Sequence, residues 1–136
     1  MTNVAEAGRK TFRKSERLHS KKLIKELFSK GSSFFLYPYK VVYLPVDKSR
    51  ATPYNSVLFT VPRRNFKKAV DRNTLKRRIK EAYRLNKNTL APVSEGDKVL
   101  LVALIYVGKD FLAYDRVELK LKRVLERLSN SVSKPA

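Results

Sequence analysis

The apolar residues of this chain recur at two periods, and the alternation between those periods marks out its elements. After Ser20, the residues Leu23, Ile24, Leu27 and Phe28 form a helical stripe that runs to about Lys30. Ser20 is placed to cap the start of that helix, and Gly31 ends it. Residues 34 to 47 are rich in aromatic and β-branched types, with Tyr39, Val41 and Tyr43 alternating with Lys40, Val42 and Leu44. That is strand period, and Pro38 splits the run into two strands. A polar connection from Asp47 to Pro53 leads to another strand, Ser56 to Val61, with Val57, Phe59 and Val61 on one face. Pro62 closes it.

A regular, densely cationic helix follows. Leu75, Ile79, Ala82 and Tyr83 lie at i, i+4, i+7 and i+8, which makes one apolar face. Asp71 stands as its N-cap. Asn86-Lys87-Asn88 and Pro92 stop the helix, and Glu95-Gly96-Asp97 turns the chain into Lys98 to Val107. That run is apolar without alternation, as expected of a strand buried on both faces. Asp115 and Glu118 have the spacing of a capping box for a last helix, whose stripe is Val117, Leu121, Val124, Leu125 and Leu128. The expected fold is an α+β two-layer sandwich in the order α-β-β-β-α-β-α, with a mixed sheet of about four strands and a βαβ crossover. Residues 1–10 are expected to be a disordered tail, 11–128 a single domain, and 129–136 a polar tail.

Charge changes the picture most. The 136 residues hold 31 Lys and Arg against 12 Asp and Glu, a net charge of +19. The cations cluster: nine lie in residues 9–30 and eleven in residues 63–87. Such a surface calls for a polyanion, and nucleic acid is the usual one. No apolar run approaches the roughly 20 residues of a membrane span, and the longest is Val99 to Val107. No secretory signal is visible, so the expected compartment is cytoplasmic. Cysteine is absent, which excludes disulfides and thiolate metal sites. His19 is the only histidine and has no evident partner for acid–base or metal chemistry. The acids are spaced as turn and cap residues, not as a two-metal nuclease site.

On the helix of Leu75 to Tyr83, Asn73, Lys76, Arg77, Lys80 and Arg84 share a face beside the apolar one. A helix made only for solubility would mix signs to gain i,i+4 pairs, whereas this one stacks like charges. Arg72, Arg77 and Arg84 can fork onto phosphate oxygens. Asn73 fits either a base edge or ribose hydroxyl, or a structural role at the helix start. Tyr39 and Tyr43 suit either base stacking or packing.

Arg72-Asn73-x-x-Lys76-Arg77-x-x-Lys80, followed by Glu81-x-x-Arg84, resembles the signature of the bacterial ribonuclease P protein subunit. Arg63-Arg64 resembles the basic pair that the family carries upstream, and Ala69-Val70-Asp71-Arg72-Asn73 its lead-in. Phe12-Arg13-Lys14-x-x-Arg17-Leu18 and Leu27-Phe28-Ser29-Lys30-Gly31 resemble its N-terminal box and the end of its first helix. Two departures stand out: Lys80 replaces a frequent Arg, and Asn65-Phe66-Lys67-Lys68 lacks a frequent Gly.

The resemblance implies a left-handed crossover. It also implies a subunit that binds the ribonuclease P catalytic RNA and the 5′ leader of precursor tRNA. In that family the RNA is the catalyst and uses Mg²⁺. The protein would supply no catalytic residue, bind no metal or other cofactor alone, and need neither a membrane nor an obligate protein partner. Arg63, Arg64, Arg72, Asn73, Lys76, Arg77, Lys80 and Arg84 are implied for the catalytic RNA. Phe12, Phe28, Tyr39 and Tyr43 are implied for the leader. A ribosomal or general structural RNA-binding protein accounts equally for charge and size, and a DNA-binding domain is a third reading. The first does not explain the spacing from Arg72 to Arg84 together with both flanking boxes, and the absence of a recognisable helix-turn-helix pairing or dimer seam argues against the second.

Overall fold

Helix α1 forms where the stripe from Leu23 to Leu27 follows a good cap. In the computed structural model, which describes residues 16–133, it spans Lys21–Lys30. The Ser20 hydroxyl accepts from the Leu23 amide at 3.3 Å. Gly31 ends the helix with an extended backbone (φ −71°), so its role is space and not a left-handed turn. A Cβ there would press on the Leu27 carbonyl and lie 2.9 Å from the Tyr43 oxygen.

Strands β1 (Ser32–Leu36) and β2 (Tyr39–Asp47) form a hairpin around Tyr37-Pro38. β3 (Ser56–Thr60) leads into α2 (Ala69–Asn86). A 3₁₀ segment, Lys87–Ser94, leads on to β4 (Lys98–Tyr106), and α3 (Tyr114–Ser133) closes the chain. The sheet order is β1-β2-β4-β3. β4 pairs antiparallel with β2 and parallel with β3, so α2 is the crossover of a βαβ unit. The expected order and mixed four-stranded sheet are observed.

The sheet buries both faces. On one, Tyr39, Val41, Val57, Phe59, Leu100, Val102 and Leu104 meet the apolar stripes of α2 and α3 in the main core. On the other, Val42, Val46, Val99, Leu101 and Ala103 meet Leu27 of α1 and Leu18. The helical layer of α2 and α3 thus covers one face, and α1 adds a short layer over part of the other. Val117, Leu121, Val124, Leu125 and Leu128 are all fully buried, as their spacing predicts.

Three expectations change at element ends. α2 begins at Ala69 with Lys68 at the cap position, which leaves Asp71 in the first turn, where its charge favours the helix dipole. α3 begins one residue before Asp115, so there is no capping box. Glu118 instead accepts from Asn86 Nδ2 at 2.9 Å and ties α3 to α2. Residues 129–133, expected in a polar tail, continue α3 because Leu128 and the partly buried Val132 still pack on the core. Residues 1–10 lie outside the described residues.

Candidate nucleic-acid interface

Two surfaces emerge, one on each side of the sheet. The first begins where β3 ends. Val61 and Phe66 are buried, and Asn65 Nδ2 donates to the Val107 carbonyl at 3.0 Å. Between these anchors Arg63 and Arg64 stand exposed. Arg72 closes the loop from the helix side: its Nη1 donates to the carbonyls of Phe66 (2.8 Å) and Lys67 (2.9 Å).

Arg72 is therefore turned onto the loop backbone through Nη1. Carbonyls released by the approach to the helix need donors, and a guanidinium supplies two in one plane. Arg78, a neighbour in the same charge run, is likewise turned inward. Its Nη1 donates to the Leu112 carbonyl at 2.5 Å, and its guanidinium lies 4.6 Å from the centre of the Phe111 ring.

Outward from these supports, Asn73, Arg77 and Lys80 are exposed and Lys76 is half-buried. No ion pair among the described residues engages Arg63, Arg64, Arg77 or Lys80. Arg84 makes a two-pronged contact with Glu81, Nε to Oε2 at 3.0 Å and Nη2 to Oε1 at 2.6 Å. That contact holds the Glu81 carboxyl below the usual range. The pair lies at the surface, where solvent screens it, so a phosphate can compete for the guanidinium.

The second surface is the part of the sheet that α1 leaves open. Strand register sets Phe35 opposite Lys40, Lys40 opposite Ile105, and Ile105 opposite Thr60. These four residues form a row across the whole sheet, roughly 14 Å long at ordinary strand spacing. Phe35 is 58% exposed, Lys40 is exposed, and Ile105 and Thr60 are half-buried. The next row, Ser33, Val42, Ala103 and Leu58, runs under α1, where Val42 and Ala103 pack with Leu27. Phe28 is 49% exposed on α1, one residue beyond Leu27. The open row thus offers a ring and a cation, with Thr60 leading toward Arg63 and Arg64.

Tyr39 and Tyr43 do not belong to this surface, which corrects their assignment. Tyr39 is fully buried, donates to the Val117 carbonyl at 3.1 Å, and packs edge-on against Tyr106 at 5.9 Å. Burial raises its pKa well above that of a free phenol. Tyr43 is half-buried on the same face, 6.0 Å from the Phe34 ring. Both point to the helical layer because β2 presents its odd-numbered positions there. Phe35 and Lys40, which take the open positions instead, were not among the residues the sequence singled out; pairing across the turn at Pro38 brings them together. Phe12 lies outside the described residues.

A sequence model of the Ribonuclease P family matches residues 12–129. The chain is 35% identical to the ribonuclease P protein component of Porphyromonas gingivalis strain ATCC 33277, over 100% of this chain and 97% of the relative. It is 32% identical to that of Chlorobaculum tepidum, over 85% and 80%. Among solved structures, the RNase P protein of Thermotoga maritima superposes with a TM-score of 0.64 at 25% identity, covering 82% of this chain and 96% of that one. A Staphylococcus aureus RNase P protein shares the fold, with a TM-score of 0.62 at 18% identity over 83% and 94%.

Proposed function

The chain belongs to the ribonuclease P protein family, a tRNA-processing subunit, and from that premise we propose that it bridges catalytic RNA and precursor tRNA with its two surfaces. The outer face of α2 (Asn73, Lys76, Arg77, Lys80 and, on exchange with Glu81, Arg84) and the pair Arg63-Arg64 take phosphates of the catalytic RNA. The open row of the sheet, with Phe28 at its margin, takes the single-stranded 5′ leader. A base stacks on Phe35, and Lys40 meets the backbone. The observation that carries this reading is the Arg72-pinned loop. It holds Arg63 and Arg64 exposed where the open row ends and the basic helix begins.

In this reading the chain does electrostatic work. Two cationic surfaces on one small body offset the repulsion between two RNAs, and each phosphate contact releases counterions. The Mg²⁺ of the reaction, and the hydrolysis itself, belong to the RNA. Among the described residues no group of three or more His, Cys, Asp or Glu is placed to hold a metal ion. Among the same residues no helix is long and apolar enough to cross a membrane. The assembly is proposed to work in the cytoplasm without an obligate protein partner.

Cleavage of a precursor tRNA at low Mg²⁺ tests the reading, with catalytic RNA alone, protein alone, and both together. Stimulation only with both present is the expected result. Salt-sensitive RNA binding without stimulation would overturn it in favour of a general structural RNA-binding protein.

A further inference from the structure

α3 carries a second line of cations that the two surfaces above do not use. Arg116, Lys120, Arg123 and Arg127 recur at i, i+4, i+7 and i+11. At about 100° per residue they fall within about 60° of one another on the helix, and they span about 16 Å. Arg116, Arg123 and Arg127 are exposed and Lys120 is half-buried. No ion pair among the described residues engages any of them.

The stripe lies on the flank of α3 turned away from α2. Glu118, which meets Asn86 of α2, is on the opposite flank, while Arg127 reaches β1 and covers the Phe34 ring at 4.3 Å. That stacking holds one guanidinium in place. A hollow of about 580 Å³ opens beside it, lined by Arg123, Glu126, Arg127, Asn130 and Ser131, with Glu126 its single acid.

We propose that this stripe docks a double helix of the catalytic RNA through its phosphate backbone. The proposal rests on the reading of the signature helix given above. Three features select this occupant. The line is straight, rigid and cationic, which suits the regular phosphates of a duplex. The Phe34 ring beside the stripe is covered by Arg127, so it does not offer unpaired bases a platform such as single strands use. Finally, α3 sits beside α2 in one helical layer, on the sheet face opposite the open row. A single RNA body lying over that layer can meet both helices.

The chain has no cysteine, so one introduced residue gives a unique tether. An iron–EDTA group on Ser131→Cys, in the complete complex of protein, catalytic RNA and precursor tRNA, should cut the catalytic RNA on both strands of one helix. A matching tether on Val70→Cys, which is 69% exposed at the start of the signature helix, serves as the reference. Cutting from Val70 with none from Ser131, or Ser131 cutting only precursor tRNA, would overturn the stripe proposal and leave the signature-helix reading standing. Silence from both would overturn the two together. In parallel, the combined change Arg116→Gln, Lys120→Gln, Arg123→Gln and Arg127→Gln should lower the salt dependence of catalytic-RNA binding by up to about 3.6 in log–log slope. A single-stranded leader oligonucleotide should bind that variant as before. An unchanged slope, with an intact far-ultraviolet spectrum, counts against the stripe.

Discussion

Neighbouring arginines on α2 do different work. Arg72 spends its guanidinium on the Phe66 and Lys67 carbonyls, whereas Arg77 points to solvent. Replacing Arg72 with Ala leaves two carbonyls without their donor and is expected to destabilise the fold by about 1–3 kcal/mol in urea unfolding. Arg77→Gln is expected to leave the urea midpoint in place and to lower the salt slope of RNA binding by about 1. The aromatics divide the same way. Tyr39→Phe should lose about 1 kcal/mol of stability, the worth of the bond to Val117, with leader affinity unchanged. Phe35→Ala should do the reverse: leader affinity falls by about 1–3 kcal/mol in a direct titration, while stability stays within about 0.5 kcal/mol.

At the scale of elements, the helices were legible from their stripes, as were both ends of α1, but the starts of α2 and α3 and the end of α3 were not. Leu75, Ile79, Ala82 and Tyr83 are buried as spaced, because a helix on a sheet must hide a stripe of that width. α3, however, starts at Tyr114 and runs to Ser133, since packing of Val132 outweighs the polar sequence around it. The junction of α1 and β1 leaves no room for a side chain at Gly31. Gly31→Ala would press a methyl onto the Leu27 and Tyr43 backbones, neither of which can rotate away. A loss of about 1–3 kcal/mol is expected in thermal unfolding, together with weaker leader binding as α1 shifts over the sheet.

Across the whole molecule, buried phenols couple stability to alkali. Burial pushes Tyr106 from 10.0 to about 12, and it raises Tyr39 and Tyr83 as well. A folded-state pKa raised above the unfolded value means that the native state holds the proton more tightly. The stabilisation is complete below about pH 10 and is lost as pH rises through about 12. Tyrosinate absorbance should therefore show a late step near pH 12 that coincides with loss of the far-ultraviolet signal. A late step that leaves the helical signal intact would mean that these tyrosines ionise within the folded chain.

The sequence by itself determined the order of elements, the buried stripes, the cationic character of α2 and the family to which the chain belongs. These depend on period and spacing along one strand of residues, which survive without a partner element. Tertiary structure alone decided which face of the sheet stays open and which cations are spent internally. Both alternations of β2 are apolar, Tyr39, Val41 and Tyr43 on one side and Val42, Leu44 and Val46 on the other, so the pattern carried no sign of which would meet the helical layer. A strand shows a face only by being half wet, and here both faces meet helices until the last row. Likewise an arginine reads the same in sequence whether its guanidinium turns toward a backbone carbonyl, as at Arg72, or toward solvent, as at Arg77. The choice depends on where Phe66 and Lys67 present their carbonyls, and that position exists only once the loop is folded against β4.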